Sequence, residues 1–321
     1  MATSAAIFRP TSIAGKRLSR ADDLAHAFTF FFAALILGVT TLIVCQLWIH
    51  SSPAREKFGF GFIASKLWNP VSDEYGAAPF IYGTVLTSLL ALSISVPLGV
   101  GAAICLSELA SPLLSAALTF FLELLAAVPS VIFGLLAIFT LVPLMRDYVQ
   151  PALIGAFGFT SLFSGPAFGV GYLTAGLILA VMTFPYIISV SREALLAVPR
   201  EQREAALALG ATKWESIGQA VLPFARAGIV SSVFLGLARA LGETMAVTMV
   251  IGNDPAIHAS VLSPGYTIAA VIANEFTEAT GKLYVSALIE LGFVLFMLTT
   301  IINALARMMI VLTTKKGSAK A

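Results

Sequence analysis

Charge is scarce in this chain. Asp, Glu, Lys and Arg make up 11% of its 321 residues, while hydrophobic residues make up 58% and the mean hydropathy is +0.93. A soluble domain carries about 25% charged residues, so this chain reads as a polytopic membrane protein, and the usual residues-per-domain reasoning does not apply. The net charge of +2 is too small to point to nucleic acid. Only two cysteines occur, Cys45 and Cys105, each inside an apolar run. They are too few for a disulfide framework and lack metal-ligand spacing, so both read as small buried hydrophobes. The three histidines, His26, His50 and His258, lie far apart, and no metal site is expected. There is no Gly-rich phosphate loop ending in Lys-Ser or Lys-Thr, so the chain is not expected to hydrolyse ATP. No Ser/His/Asp set or carboxylate pair suggests an enzyme; Glu123, Glu243 and Glu290 fall in different apolar runs. Burial in lipid would favour their neutral forms unless they are paired.

What the chain has instead is length in its apolar runs. Six are long enough to span a bilayer as helices, at about 25–49, 80–107, 114–145, 170–195, 227–252 and 283–312. The first is too long for a signal-peptide core, and no cleavage site follows it, so it is expected to be retained. The expected architecture is an all-α bundle of six transmembrane helices. It comprises an N-terminal tail over 1–24, a membrane domain over 25–313 and a C-terminal tail over 314–321, with the last segment expected to be disordered. Lys and Arg set the orientation. Four lie in the N-terminal tail, five in the 192–226 connector and four at the C-terminal end, making thirteen on one side. Arg55, Lys57, Lys66, Arg146 and Lys282 make five on the other, and Arg239 lies within a span. Both termini and the 192–226 connector are therefore expected to be cytoplasmic. The connectors 50–79, 146–169 and 253–282 are expected outside, mostly as solvated loops.

The connector contains the one long polar stretch that reads as a built part, residues 198–223, VPREQREAALALGATKWESIGQAVLP. Pro199 suits a helix start. Arg200 to Leu209 are helix formers, and Gly210 stands where a glycine closes a helix. Thr212 and Glu215 have capping-box spacing, and Pro223 is expected to end the second helix. The result is a helix–turn–helix knob with charges on one side and Ala205, Ala206, Leu209 and Trp214 on the other. The helix signals alone fit an ordinary amphipathic connector equally well. The spacing Glu204-Ala205-Ala206, three residues, Gly210, and a segment ending Leu222-Pro223 resembles the EAA loop of type I ABC importer permeases. Ala220 departs from the aliphatic β-branched residue usual in that pattern. The resemblance implies that Glu204, Ala205, Ala206 and Gly210 form the element that docks into a cleft on an ATPase subunit.

A second resemblance narrows the family. The stretch Arg239-Ala-Leu-Gly-Glu243-Thr-Met-Ala-Val, together with Leu122–Ser130, Phe163–Gly169 and Tyr75–Gly83, is similar to phosphate-specific ABC permeases of the C type. That resemblance covers nearly all of the chain from about residue 58. It implies a bacterial inner-membrane importer of inorganic phosphate containing a second, homologous A-type permease, two copies of an ATPase and a periplasmic phosphate-binding protein. No cofactor is expected on this chain; ATP and Mg are expected on the partner ATPase. Permeases for molybdate or sulfate, and an ATP-independent anion transporter, remain alternatives at this point. Arg239 is expected near mid-membrane, where a lone cation costs about 2.5–3.5 kcal/mol on insertion scales. Glu243, four residues on, could pair with it on one helix face. Such a pair could be structural, or Arg239 and Glu243 could line the anion path. Ser232, Gly236, Arg239, Glu243 and Ala246 share three- and four-residue steps, which suggests a face for the permease partner.

Overall fold

A computed structural model describes residues 12–318, and the side chains of residues 24–309. Among the described residues the fold is helical throughout; the only β pairing is two isolated bridges. Six helices are long and apolar enough to cross a membrane. The chain divides into two units, Met1–His50 and Ser51–Ala321. The first unit is one helix, α1 (Ser12–His50). Its stretch Leu24–His50 is apolar and long enough to cross a membrane. Thr29, Thr40 and Thr41 return their hydroxyls to the carbonyls four residues back, so these polar groups do not face hydrocarbon unpaired.

The second unit begins with two short helices, α2 (Ser52–Phe58) and α3 (Gly61–Ala64), and continues through α4 (Ala78–Leu109), α5 (Pro112–Ala127), α6 (Ser130–Phe157) and α7 (Tyr172–Leu196). After these come α8 (Arg200–Ala208), α9 (Lys213–Gly242), α10 (Met245–Thr248), α11 (Ile268–Glu275) and α12 (Lys282–Ser318). The helix α7 is the centre of this unit. In its most apolar window 61% of residues are buried, against 28% at most for the other spans. Small residues let its neighbours approach. A Cβ on Gly176 would lie 2.7 Å from Leu90 of α4, and one on Gly99 of α4 would lie 2.8 Å from Ile187 of α7. On α9, Gly228 abuts Ala194 and Ser232 shares a 2.7 Å hydrogen bond with Ser191 of α7.

Several sequence expectations change here. Pro223 does not end its helix. A wide turn over Ile217–Val221, in which the Leu222 N–H reaches the Ile217 carbonyl, precedes it, and the helix runs unbroken from Lys213 to Gly242. One extra residue in the turn is the usual adjustment when proline removes a donor and crowds the preceding turn. The apolar run 114–145 is two helices, because Val128 and Pro129 are extended (ψ 129° and 139°) and separate α5 from α6. The connector expected at 146–169 is helical up to Phe157, and Arg146 sits inside α6, paired with Asp147 at 2.8 Å. The expected disordered tail from Thr314 is helical to Ser318; residues 319–321 and the first eleven residues of the expected N-terminal tail lie outside the described residues.

The loops expected to be solvated are partly packed. Trp68, Tyr75, Phe80, Tyr266 and Tyr284 interlock edge to face or stacked, with centroids 4.8–6.3 Å apart. Glu275 accepts from Trp68 Nε1 at 2.9 Å and from the Tyr284 hydroxyl at 2.6 Å. Burial first, and then Asp73 beside it, push the Tyr75 phenol up to about 12, so it remains a neutral donor at any physiological pH. Glu290, buried in α12, lies 3.7 Å from Arg55 of α2, an ion pair that offsets part of the cost of a carboxylate in an apolar span.

Candidate functional site

Two helix breaks meet beside the middle of α7. The α9 helix runs antiparallel to α7, as Ala194 meets Gly228, Ser191 meets Ser232 and Ile187 meets Gly236 in succession. Continuing that register, the Arg239 guanidinium lies over the Tyr186 ring, 4.5 Å from its centroid. Tyr186 is fourteen residues after Tyr172 and ten before Leu196, the two ends of α7. Arg239 is therefore near the mid-length of a membrane-crossing helix, about 15 Å from its Leu196 end at 1.5 Å per residue. Three residues later α9 stops: Glu243 is extended (ψ 128°), and a short helix, α10, resumes at Met245.

The second break is at the same level. Tyr186 donates its hydroxyl to the Ala126 carbonyl at 3.3 Å, at the end of α5. Nearer the start of α5, Ser115 lies 3.4 Å from Arg192 Nη2, so α5 lies along the C-terminal half of α7 and ends where Tyr186 is. Then α6 starts at Ser130 and packs on α10, with Gly134 against Ala246 and Met249. Tyr186 thus touches both interruptions, bonding the end of α5 through its hydroxyl and holding Arg239 on its ring. Sequence reasoning missed this residue. A tyrosine one position after a proline, within an otherwise apolar span, was the available signal.

The expected Arg239–Glu243 pair is not formed. Among the described residues no ion pair joins them. The helix ends at Gly242, so four-residue spacing no longer places Glu243 on the face that carries Arg239. The nearest donor to Glu243 is the Ala246 N–H, 3.5 Å from Oε1. Arg239 Nε is buried without a hydrogen-bond partner among the described residues. Nor is the face Ser232–Gly236–Arg239 free for a partner permease, since it lies against Ser191, Ile187 and Tyr186 of α7.

The polar connector takes its expected form as far as the capping box, although its second helix continues past Pro223. Pro199 precedes α8, whose last turn is closed by Gly210 at φ +88°. The Gly210 N–H bonds Leu207 and the Ala211 N–H bonds Ala206, the paired bonds of a left-handed helix stop. Thr212 and Glu215 form the capping box at the start of α9. Glu204, Ala205 and Gly210 are exposed and Ala206 is half-buried. Leu209 is 90% exposed and Trp214 66% exposed, so with Leu207 the knob presents large apolar side chains on both sides of its turn. Isolated exposed apolar residues are ordinary, but several of them flanking a rigid turn make a surface suited to docking.

The profile of the family described as binding-protein-dependent transport system inner membrane component matches residues 95–310. The chain is 44% identical over 299 residues to a "Phosphate transport system permease protein PstC" of Mesorhizobium japonicum, covering 92% of this chain and 91% of that protein. It is 46% identical over 293 residues to the protein of the same name from Haemophilus influenzae, covering 90% and 93%. Among solved structures it resembles a chain of a bacterial ABC transporter involved in import of the acidic polysaccharide alginate. There the TM-score is 0.57 at 16% identity, over 90% of this chain and 98% of that one. A chain of the MetNI methionine ABC transporter in an inward-facing conformation gives a TM-score of 0.53, also at 16% identity, over 77% and 99%. These two likenesses concern the fold.

Proposed function

The chain belongs to the inner-membrane components of binding-protein-dependent transport systems, and from that premise we propose that it is the permease subunit of an ABC importer for inorganic phosphate. The observation that carries this reading is similarity at 44–46% identity to phosphate permeases, extending over nine-tenths of the chain. The decisive experiment reconstitutes the chain with its partner subunits and measures ATP-dependent uptake of phosphate, sulfate and molybdate. Uptake of sulfate or molybdate in preference to phosphate would reassign the cargo, and uptake independent of ATP would end the importer reading.

The subunit works as one part of an assembly. A second, similar permease completes the path, a phosphate-binding protein delivers the anion from outside, and two ATPase subunits supply the energy, with ATP and Mg bound by them. The knob at 198–223 is the ATPase contact, with Glu204, Ala205, Ala206 and Gly210 at its tip. Both termini and the knob are cytoplasmic in this reading, in line with the distribution of Lys and Arg, thirteen on that side against four on the other once Arg146 is placed within α6. Thr212→Cys in intact cells should react only with reagents that cross the membrane; labelling by an impermeant reagent would overturn both the topology and the ATPase contact.

The anion passes the broken helices at Arg239. Transporters commonly build mid-membrane sites from interrupted helices, whose free backbone ends and polar side chains are usable there. Arg239 binds two phosphate oxygens as a fork. Glu243, released from the helix by the break, accepts a hydrogen bond from the P–OH that phosphate carries at neutral pH and sulfate lacks. A carboxylate facing sulfate would be left without that bond, which costs about 1–3 kcal/mol or more for a charged group. Glu243→Gln should therefore narrow the preference for phosphate over sulfate when uptake is driven in the whole complex. An unchanged preference would remove Glu243 from the path.

A further inference from the structure

The guanidinium of Arg203 ties three helices together at the cytoplasmic end of the bundle. Its Nη2 donates to Glu108 Oε1 at 2.7 Å and to the Leu195 carbonyl at 2.8 Å. Its Nη1 donates to the Val198 carbonyl at 2.5 Å, and its Nε reaches both Glu108 oxygens at 3.2–3.3 Å. Leu195 is in the last turn of α7 and Val198 lies just beyond it, where carbonyls lack intrahelical partners and a cation is favoured. Glu108 sits in the wide turn Cys105–Leu109 that ends α4, and its side chain is only 9% exposed. A carboxylate so nearly buried, held by two nitrogens of one planar fork, is a far better defined contact than a surface ion pair.

Beneath this contact the inner ends of α4, α7 and α9 share an apolar cluster that includes Ala103, Leu106, Leu195, Val198 and Val221. By contrast, α8 has no buried residue. The apolar cluster keeps the bundle ends together; α8 rests against the wide turn Ile217–Val221 of α9, and Arg203 is its polar link to α4 and α7. Both helices that Arg203 reaches, α4 and α7, are also closely packed on each other through Gly99 and Gly176.

We propose that the Arg203–Glu108 contact is the strut through which the ATPase-docking helix α8 drives α4 and α7 as one body, so that Arg203 and Glu108 are positioning residues for coupling. The inference rests on the ATPase-contact reading of the knob. It does not require either residue to touch ATP, ATPase or phosphate.

The test uses the complete reconstituted importer and reads two rates, ATP hydrolysis and phosphate uptake, with a crosslink from Ala205→Cys to the ATPase as a third measurement. In Arg203→Ala and in Glu108→Ala the crosslink should form and hydrolysis should continue. Phosphate imported per ATP should fall about tenfold in each, the size of an ordinary coupling free energy. The double substitution should be no worse than either single one, because both remove the same contact. Arg203→Lys, which keeps the charge but not the fork, should recover part of the ratio. A merely structural contact would lower uptake and hydrolysis together, in step with the amount of complex recovered. That result, or an unchanged ratio with the crosslink intact, overturns the strut alone. Failure of the crosslink in the otherwise unmodified importer overturns the ATPase contact itself, and the strut with it.

Discussion

Arg239→Ala is expected to slow phosphate uptake at least about a hundredfold, the effect of losing a fork of two charged hydrogen bonds of about 1.5–3 kcal/mol each. The magnitude follows from what holds Arg239 now. The ring of Tyr186 beneath the guanidinium supplies up to about 2 kcal/mol when desolvated, whereas a cation at mid-membrane costs about 2.5–3.5 kcal/mol on insertion scales. The stacking does not cover that cost, Glu243 is not in place to do so, and Nε has no hydrogen-bond partner. An arriving anion completes the set. The same comparison guards the test against a trivial explanation. Alanine at 239 makes the helix easier to insert, so reduced uptake cannot be blamed on failed insertion. Arg239→Lys keeps the charge but loses both the fork and the planar stacking, and should fall between alanine and the original. Tyr186→Phe keeps the ring and loses only the hydroxyl bond to Ala126, so its effect should be the smallest of the three. Uptake at the unmodified rate in Arg239→Ala, in a complex that assembles and hydrolyses ATP, would remove Arg239 from the anion path.

The contrast between Arg239 and Glu243 also shows where sequence reading reaches its limit. Hydropathy found the number of crossings because each needs a long apolar stretch, and that requirement is local, but it misplaced the third, which is Ser130–Phe157 and not 114–145. The capping box at Thr212 and the glycine stop at Gly210 were legible for the same reason, since each is settled by residues within a turn of it. The break at Val128–Pro129 was not, because both flanking helices are apolar and hydropathy does not change across an extended pair. Four-residue spacing placed Glu243 beside Arg239 only on the assumption of a continuous helix, and the chain leaves the helix between them. Arg203 was counted as one of the cytoplasmic charges. Its partner Glu108 is 95 residues away and its other acceptors are backbone carbonyls, neither of which leaves a pattern in a single sequence. Tyr186 was hidden likewise: its role depends on two helices, α5 and α9, reaching the same depth from different parts of the chain.

Gly210→Val should leave the permease folded in the membrane and largely abolish phosphate uptake. Gly210 has φ +88° and nothing within 4 Å of the position a Cβ would take, so a side chain there meets no neighbour. The penalty is confined to the backbone, where a left-handed conformation costs roughly 1–2 kcal/mol for an ordinary L-residue and more for a β-branched one. The cheapest relief is to abandon the left-handed turn. That breaks the two closing bonds from Gly210 and Ala211 to Leu207 and Ala206 and re-aims α8 relative to the capping box at Thr212. None of this touches the apolar clusters of the bundle, so membrane yield should match the unmodified chain. The exposed surface formed by Glu204, Ala205, Leu209 and Trp214 would lose its fixed shape, and ATP hydrolysis should become independent of the binding protein. Gly210→Asn provides the control, since asparagine enters the left-handed region more readily than other residues with a side chain. It should retain most of the coupling, with alanine between it and valine. If all three substitutions reduce uptake equally, the conformation at 210 is not what matters, and the absence of a side chain at the ATPase contact would be the requirement instead. If Gly210→Val transports normally with an intact complex, the turn plays no part in coupling.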